Sequence, residues 1–487
     1  MTMTLLNVNV QDEARTDRLL VKKRIIEDPQ NDCLINQIAP IYSLPDEILA
    51  DIFEVGHTPL SPIPAPRAGL AFEILVSQVT RRWRNVAICT PHIWSRIEIS
   101  PTTGRHLVAV YLRRSGVVPL DLFIDFEPRY FGSEAASAIA SADFSHQLRL
   151  HSGWQAVIPH LSRCRNIVAS PGCLENIDEM WSAFHSVTVM LLERFQMIHD
   201  FRRTSIDHVF DGGAPALRDV RIGGLQYCVP PLANVTSLVL WNLNIVLDWS
   251  HLRDTVGGLL SLTHFVIGIP LDGLFLPDGF ESAIRFPSLH TLRIVADYII
   301  PFEFLLSIFA PSLDSLELEG ITSEDLRYFC NNDALRVLEK FPCLQSLTFL
   351  DPNVDDISQE TCTSFCNMFP HITHLAFDFN QTQPMSLEHF VEAMVSNTTN
   401  SDTTQSHILP ELHTLSFSKL HPSSINLLSD IVSTRHALRL PLTLVHVPKA
   451  ALRHSGQFSE PLDRLRGLVE LMEYQARDWN VKTMIFE

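Results

Sequence analysis

Apolar residues recur through much of this chain in one phrase: an apolar residue and proline, one free position, leucine or isoleucine, two free positions, then two apolar residues separated by one more. It runs Ala214 to Ile222, Phe286 to Ile294, Ala310 to Leu318, Phe341 to Phe349, Phe369 to Phe377 and Leu409 to Phe417, with proline-free copies at Leu232 to Leu240 and Leu259 to Ile267. The closing apolar-x-apolar alternation predicts a short strand with one face buried. The apolar-proline pair predicts the end of a helix, because the residue before proline disfavours the α region. Helical spacing does precede some copies, as in Phe302, Leu305, Leu306 and Phe309, or Phe390, Val391 and Met394. Each unit therefore reads as helix, proline stop, strand, and cannot bury its apolar face unless neighbours stack.

The first leucine-type anchors are residues 217, 235, 262, 289, 313, 344, 372 and 412, and most of the intervals between them lie at 24 to 31 residues. This resembles leucine-rich repeats, whose period is roughly 20–29 residues. Asparagine after the strand is mostly missing and the period drifts, so an irregular array is expected. Degenerate earlier copies are Cys164 to Val168 and Val187 to Leu191, and strand candidates at Arg96 to Ile99 and Leu120 to Ile124 start the stack. Leu442 to Val447, an amphipathic helix near Leu462 to Tyr474, and Val481 to Phe486 close it. The polar stretch Ser396 to His407 reads as a surface loop.

Ahead of the repeats the pattern turns helical. Pro45, Asp46 and Glu47 suit a first helical turn, where proline loses no hydrogen bond and acids favour the helix dipole. Ile48 with Ile52, and Leu49 with Phe53, then form one apolar stripe, which Gly56 and the prolines 59, 62, 64 and 66 end. A second helix is predicted from about Ala71 to Ala87, with Phe72, Val76, Val79, Trp83 and Val86 on one face and Arg81, Arg82 and Arg84 near the exposed side. Pro91 stops it, and Trp94 closes the small core. Before this module, Leu19, Leu20, Ile25 and Ile26 lie among basic residues, consistent with a short amphipathic helix in an N-terminal segment, residues 1–40.

The wording Leu44-Pro-x-Glu-Ile-Leu-x-x-Ile-Phe53, then Val79-x-x-x-Trp-Arg-x-Val-Ala87, then Pro91-x-x-Trp94, resembles an F-box. The phrases around Thr90 to Ile99, Leu112 to Gly116 and Pro119 to Leu122 resemble the large fungal F-box families. The chain departs from the family in the proline-rich insert Gly56 to Arg67 and in Thr80, where cysteine is frequent. The resemblance implies that Leu44, Pro45, Ile48, Leu49, Ile52, Phe53, Val79 and Trp83 pack the module or bind a Skp-type adaptor, and through it a cullin. It implies a substrate-recognition subunit of an SCF-type ubiquitin ligase that performs no bond chemistry itself. An F-box/leucine-rich-repeat scaffold outside any ligase is the first alternative, and an enzyme with a histidine-containing cleft the second. The expected architecture is α/β: a helical module at 41–95, then an irregular solenoid with parallel strands and a cap at 96–487.

Composition narrows the partners. Lys and Arg number 37 against 55 Asp and Glu, a net charge of −18, which argues against broad attraction to nucleic acid or an anionic membrane. Nine scattered cysteines suit reduced thiols in the cytoplasm or nucleus. Met1 to Val10 lack the pattern of a secretory signal, and the apolar run Tyr298 to Ala310 is too short for a span and contains Pro301 and Glu303. No phosphate-binding glycine loop or serine nucleophile elbow occurs; Gly212-Gly213 and Gly223-Gly224 read as turns. Cys362, Cys366, His371 and His374 carry zinc-ligand chemistry at a spacing that fits no finger, so neither metal nor cofactor is expected.

Strand alternation also proposes a target-binding face. Residues between the buried anchors point away from the core, which collects Arg221, Trp241, His264, Arg293, Glu317, Glu319, Thr348, His374 and Asp378 on one side. Trp241 is the candidate anchor for an unknown protein substrate, and Arg221 and Arg293 suit an acidic or phosphorylated one.

Overall fold

The computed structural model describes residues 40–57, 71–100, 103–125, 153–170, 182–197, 207–223, 228–241, 247–268, 271–272, 283–295, 301–331, 340–352, 358–379, 409–420, 422–453 and 459–475. The expected N-terminal helix around Leu19 to Ile26, the insert from residue 58 on, the helical pattern at Phe390 to Met394, the loop Ser396 to His407 and the segment Val481 to Phe486 lie outside them. The chain divides into two compact units, residues 1–95 with 113–116, and residues 96–112 with 117–487.

The first unit is helical. α1 (Asp46–His57) opens with Asp46 and Glu47 in its first turn, and the Leu49 N–H donates to the Pro45 carbonyl at 3.1 Å. The helix runs through Gly56 rather than ending there. A Cβ on Gly56 would fall 2.7 Å from the Phe72 ring, so the missing side chain lets that ring pack close. The single second helix expected from the sequence is two helices, α2 (Phe72–Val79) and α3 (Arg81–Ile88). The break is Thr80, extended at φ −148° and ψ 169°, whose hydroxyl accepts the Trp83 N–H at 3.1 Å. A threonine side chain at this position competes with helix continuation by capping the next helix. A 3₁₀ turn, Pro91–Trp94, follows, and the Trp94 indole N–H donates to the Ala87 carbonyl at 2.7 Å. Leu49, Phe53, Val76, Val86, Ala87, Ile93 and Trp94 form the core.

The second unit is a mixed α/β structure around an open parallel sheet of fourteen strands that pair in sequence order. They are β1 (Arg96–Ile99), β2 (Leu120–Asp125), β3 (Cys164–Ser170), β4 (Arg194–Met197), β5 (Asp219–Ile222), β6 (Ser237–Trp241) and β7 (His264–Gly268). Then come β8 (Thr291–Val295), β9 (Ser315–Glu319), β10 (Ser346–Leu350), β11 (His374–Asp378), β12 (Thr414–Phe417), β13 (Leu444–Val447) and β14 (Glu470–Glu473). The helices are α4 (Arg105–Arg114), α5 (Trp249–Val256), α6 (Pro301–Leu306), α7 (Ser323–Asn331), α8 (Gln359–Asn367), α9 (Pro422–Ala437), α10 (Lys449–Arg453) and α11 (Ser459–Arg466). Two sequence expectations shift. The degenerate copy at Val187 to Leu191 is a turn that leads into β4, and the helix expected over Leu462 to Tyr474 ends at Arg466 and gives way to β14.

The prolines also take a task that the sequence pattern does not suggest. Helices α6 and α8 end at Leu306 and Asn367, before Pro311 and Pro370 are reached. The prolines occupy the second position of a β-turn that feeds the strand: Leu217 N–H donates to Ala214 at 3.1 Å, Leu313 to Ala310 at 3.1 Å, and Ile372 to Phe369 at 3.2 Å. Proline presets the φ that this position needs. The copies without proline make the same turn, as from Val235 to Leu232 at 2.9 Å.

Register stacks like on like. Leu238, Phe265, Leu292, Leu316, Leu347, Leu375 and Leu415 are successive cross-strand partners, and all are buried. Phe349, Phe377 and Phe417 stack at centroid distances of 5.3 and 5.6 Å. Helices cover this face: Phe304 of α6 packs on Phe265, and Phe365 of α8 on Phe349. Leu316→Ala is therefore expected to cost about 2–5 kcal/mol by leaving a cavity, whereas Asp314→Ala, at an exposed position just before β9, is expected to stay within about 0.5 kcal/mol. Urea denaturation of both variants measures the difference. Thr80→Ala is expected to lose about 1 kcal/mol with the α3 cap, and Thr80→Ser to recover most of it; helicity and melting of the two variants measure this.

Candidate functional site

On α1 the predicted apolar stripe splits in two. Leu49 and Phe53 turn inward and are fully covered, so they pack the unit and offer nothing to a partner. Ile48 and Ile52, one residue earlier in each pair, remain 45% and 43% exposed, and Val55 is 76% exposed. Pro45 is exposed and Leu44 half-buried. On α2 the same division holds: Val76 is buried, while Leu75 and Val79 are 48% and 56% exposed. Trp83 is half-buried, with its ring 5.2 Å from that of Phe53. Ile48 with Ile52, and Leu75 with Val79, are each four residues apart and so share a helix face. Two helices that already bury apolar residues thus carry further apolar stripes outward. Val55 and Leu75 belong to this set although motif matching does not select them; their i+3 and i−4 spacing from Ile52 and Val79 is the signal that finds them.

The sheet face opposite the helices holds the residues proposed for target binding, and most of them are not accessible. Trp241 is 7% exposed, packed with Val239, Val266 and Val295. Its register partner is Gly268, where a Cβ would lie 2.6 Å from the indole, so the glycine makes the slot that the ring fills. Burial thus corrects the expectation of Trp241 as an exposed anchor. Arg293, Glu317 and Glu319 are buried as well. Arg293 Nε and Nη2 donate to one Glu319 oxygen at 3.1 and 2.7 Å, so the guanidinium is committed to an internal carboxylate. Side chains of neighbouring parallel strands stand side by side along the ladder, and long ones cover their neighbours. Thr348, the register partner of Glu317, is buried with them.

The flanks of this face stay partly accessible. Asp219 of β5 accepts from Arg194 Nε at 2.8 Å and from Arg221 Nη2 at 3.1 Å, placing two half-buried arginines around one aspartate. Towards the other edge, Ser416 Oγ lies 3.2 Å from His374 Nε2 and 2.9 Å from His446 Nδ1. Ser416 is buried, which makes this trio a hydrogen-bonded bridge across β11, β12 and β13. Asp378 accepts the Tyr474 hydroxyl at 2.8 Å. His264 contacts the Thr263 hydroxyl at 2.8 Å.

The zinc-type residues do not converge. Cys362 and Cys366 are buried in α8, and burial pushes the Cys362 thiol up to about 12 and raises that of Cys366 as well. His371 is exposed beside Glu411 at 3.1 Å, and His374 is engaged with Ser416. Among the described residues no group of three or more His, Cys, Asp or Glu is arranged to hold a metal ion, and no helix is long and apolar enough to cross a membrane.

Burial lowers the pKa of His446 and, with help from neighbouring His290 and Arg163 respectively, those of His264 and His160. A lowered folded-state pKa means that the unfolded chain takes up protons first. Stability from these groups is complete above the ordinary histidine value near ~6.5 and declines as pH falls through it. Urea midpoints at pH 7.5 and 5.5, as working conditions of about that spacing, are expected to fall with pH, and less so in His446→Gln. Arg293→Ala is expected to destabilise by roughly 3–5 kcal/mol, since it strands a buried carboxylate. Gly268→Ala is expected to cost about 1–3 kcal/mol by overpacking, and to cost less when combined with Trp241→Leu.

Compared with models of known families and with curated proteins, the chain finds no match.

Proposed function

We propose that the chain is an F-box substrate receptor: its helical unit docks a Skp-type adaptor, and its strand array, read as an irregular leucine-rich-repeat solenoid, presents a protein target to a cullin-based ubiquitin ligase. The observation that carries the reading is the outward apolar set Pro45, Ile48, Ile52 and Val79 on helices whose inner faces are already filled by Leu49, Phe53 and Val76. Several large apolar residues held outward on one small unit suit a protein interface better than water. The F-box wording of residues 44–94 supplies the identity of the partner. The in-order parallel ladder of fourteen strands supports the repeat reading of the second unit.

On this reading the chain acts by proximity, raising the effective concentration of target near the ubiquitin carrier, with no bond made or broken by its own side chains. Target recognition falls to accessible polar positions such as Arg194 and Arg221, since Trp241, Arg293, Glu317 and Glu319 serve the interior.

The test is capture of adaptor and cullin by the full chain and by Leu44→Ala/Pro45→Ala. Adaptor binding is expected to weaken by ~2 kcal/mol or more with the second unit still folded, as for buried anchors at other interfaces. Undiminished capture by the double variant would count against the F-box reading, and adaptor capture without a cullin would favour a scaffold outside a ligase.

A further inference from the structure

The corner that leads into α1 is gripped by the side chain of Arg82. Residues 40–45 include none that is fully buried; Ile41, Tyr42 and Leu44 are half-buried. The described contacts from elsewhere in the unit come from Arg82 of α3. Its Nη1 donates to the Tyr42 carbonyl at 2.7 Å, its Nη2 to the Leu44 carbonyl, and its Nε to Asp46 Oδ1 at 2.7 Å. One planar guanidinium thus grips the chain on both sides of Leu44-Pro45, using the fork of donors that arginine alone offers. The neighbouring arginines do otherwise: Arg81 is exposed, and Arg84 Nε donates to the Ser77 carbonyl at 2.8 Å.

We propose that Arg82 is a positioning residue for docking, one that presets the Leu44-Pro45 corner in the geometry the adaptor meets. The inference rests on the F-box reading above. Two of its three bonds go to main-chain oxygens, so it fixes backbone position whatever side chains the corner carries. Fixing a loop in its bound form removes an ordering cost from association and so strengthens binding without touching the partner. Without Arg82 the corner becomes a free tether ahead of α1, and Leu44 contributes little because it is no longer held in place. Thr80 makes the grip possible: by starting α3 afresh it sets Arg82 in the first turn, next to the start of α1.

The experiment is calorimetric titration of the full chain with a purified Skp-type adaptor, for the wild type, Arg82→Ala, Arg82→Lys, Leu44→Ala and the Arg82→Ala/Leu44→Ala pair. Failure of the wild type to bind would overturn the docking reading, and this inference with it. Given wild-type binding, Arg82→Ala is expected to weaken affinity about tenfold or more. Arg82→Lys, which can serve one of the three acceptors at a time, is expected to fall between. The decisive readout is coupling: Leu44→Ala should cost clearly less in the Arg82→Ala background than in the wild type. Wild-type affinity in Arg82→Ala, or losses that simply multiply, would overturn the positioning role while leaving the F-box reading standing. If near-ultraviolet circular dichroism of Trp83 and Trp94 shows that Arg82→Ala is unfolded, Arg82→Lys and its pair with Leu44→Ala decide by the same two criteria.

Discussion

Parallel pairing of each strand with the next one in sequence is the constraint on which the second unit depends. A parallel partner cannot be reached by a tight hairpin, so every strand must be followed by a return segment before the next turn enters the sheet. The turn that ends each return is the same from copy to copy, closed by a bond such as Leu344 N–H to the Phe341 carbonyl at 3.1 Å. Because all strands enter at the same phase, Leu-x-Leu positions fall on one face and meet their counterparts in register. The stacked phenylalanines 349, 377 and 417 are a consequence of that phase rather than a separate device.

The same register governs the opposite face. Putting Trp241 on a strand end requires room beside it, and Gly268 provides that room because register makes the two residues partners. Placing Arg293 next to Glu317 and within reach of Glu319 turns three charged residues inward on themselves. Burying such a cluster is tolerated when the charges are paired and hydrogen-bonded, and breaking it is costly. Residue type therefore misleads on this face: tryptophan, arginine and glutamate look like recognition groups, yet here they complete the packing.

In the helical unit the governing event is the division of apolar side chains between inside and outside. The pairs Leu49/Phe53 and Ile48/Ile52 differ by one position, a rotation of about 100° on a helix. The first pair is fully buried in the unit's core. The second is left on the surface, where the adaptor reading gives it a partner. Thr80 separates α2 from α3 and caps the latter, whose Trp83 ring lies 5.2 Å from that of Phe53.

The sequence by itself determined the repeat phrase, the buried anchors from Leu217 to Leu412, the strands that follow them and the start of α1 directly after Pro45. These are local matters of periodicity and backbone chemistry, which a linear pattern records directly. What only the tertiary structure decided was which of two adjacent apolar pairs faces the core, and that β14 takes the C-terminal part of an expected helix. It also decided that the prolines open the turns that feed the strands, and that Trp241, Arg293, Glu317 and Glu319 are enclosed. Alternation along one strand tells which side a residue points to, but its accessibility depends on side chains from neighbouring strands that are distant in sequence. Arg82 shows the same limit, since its three acceptors lie 36 to 40 residues away, a separation no helical or strand period encodes.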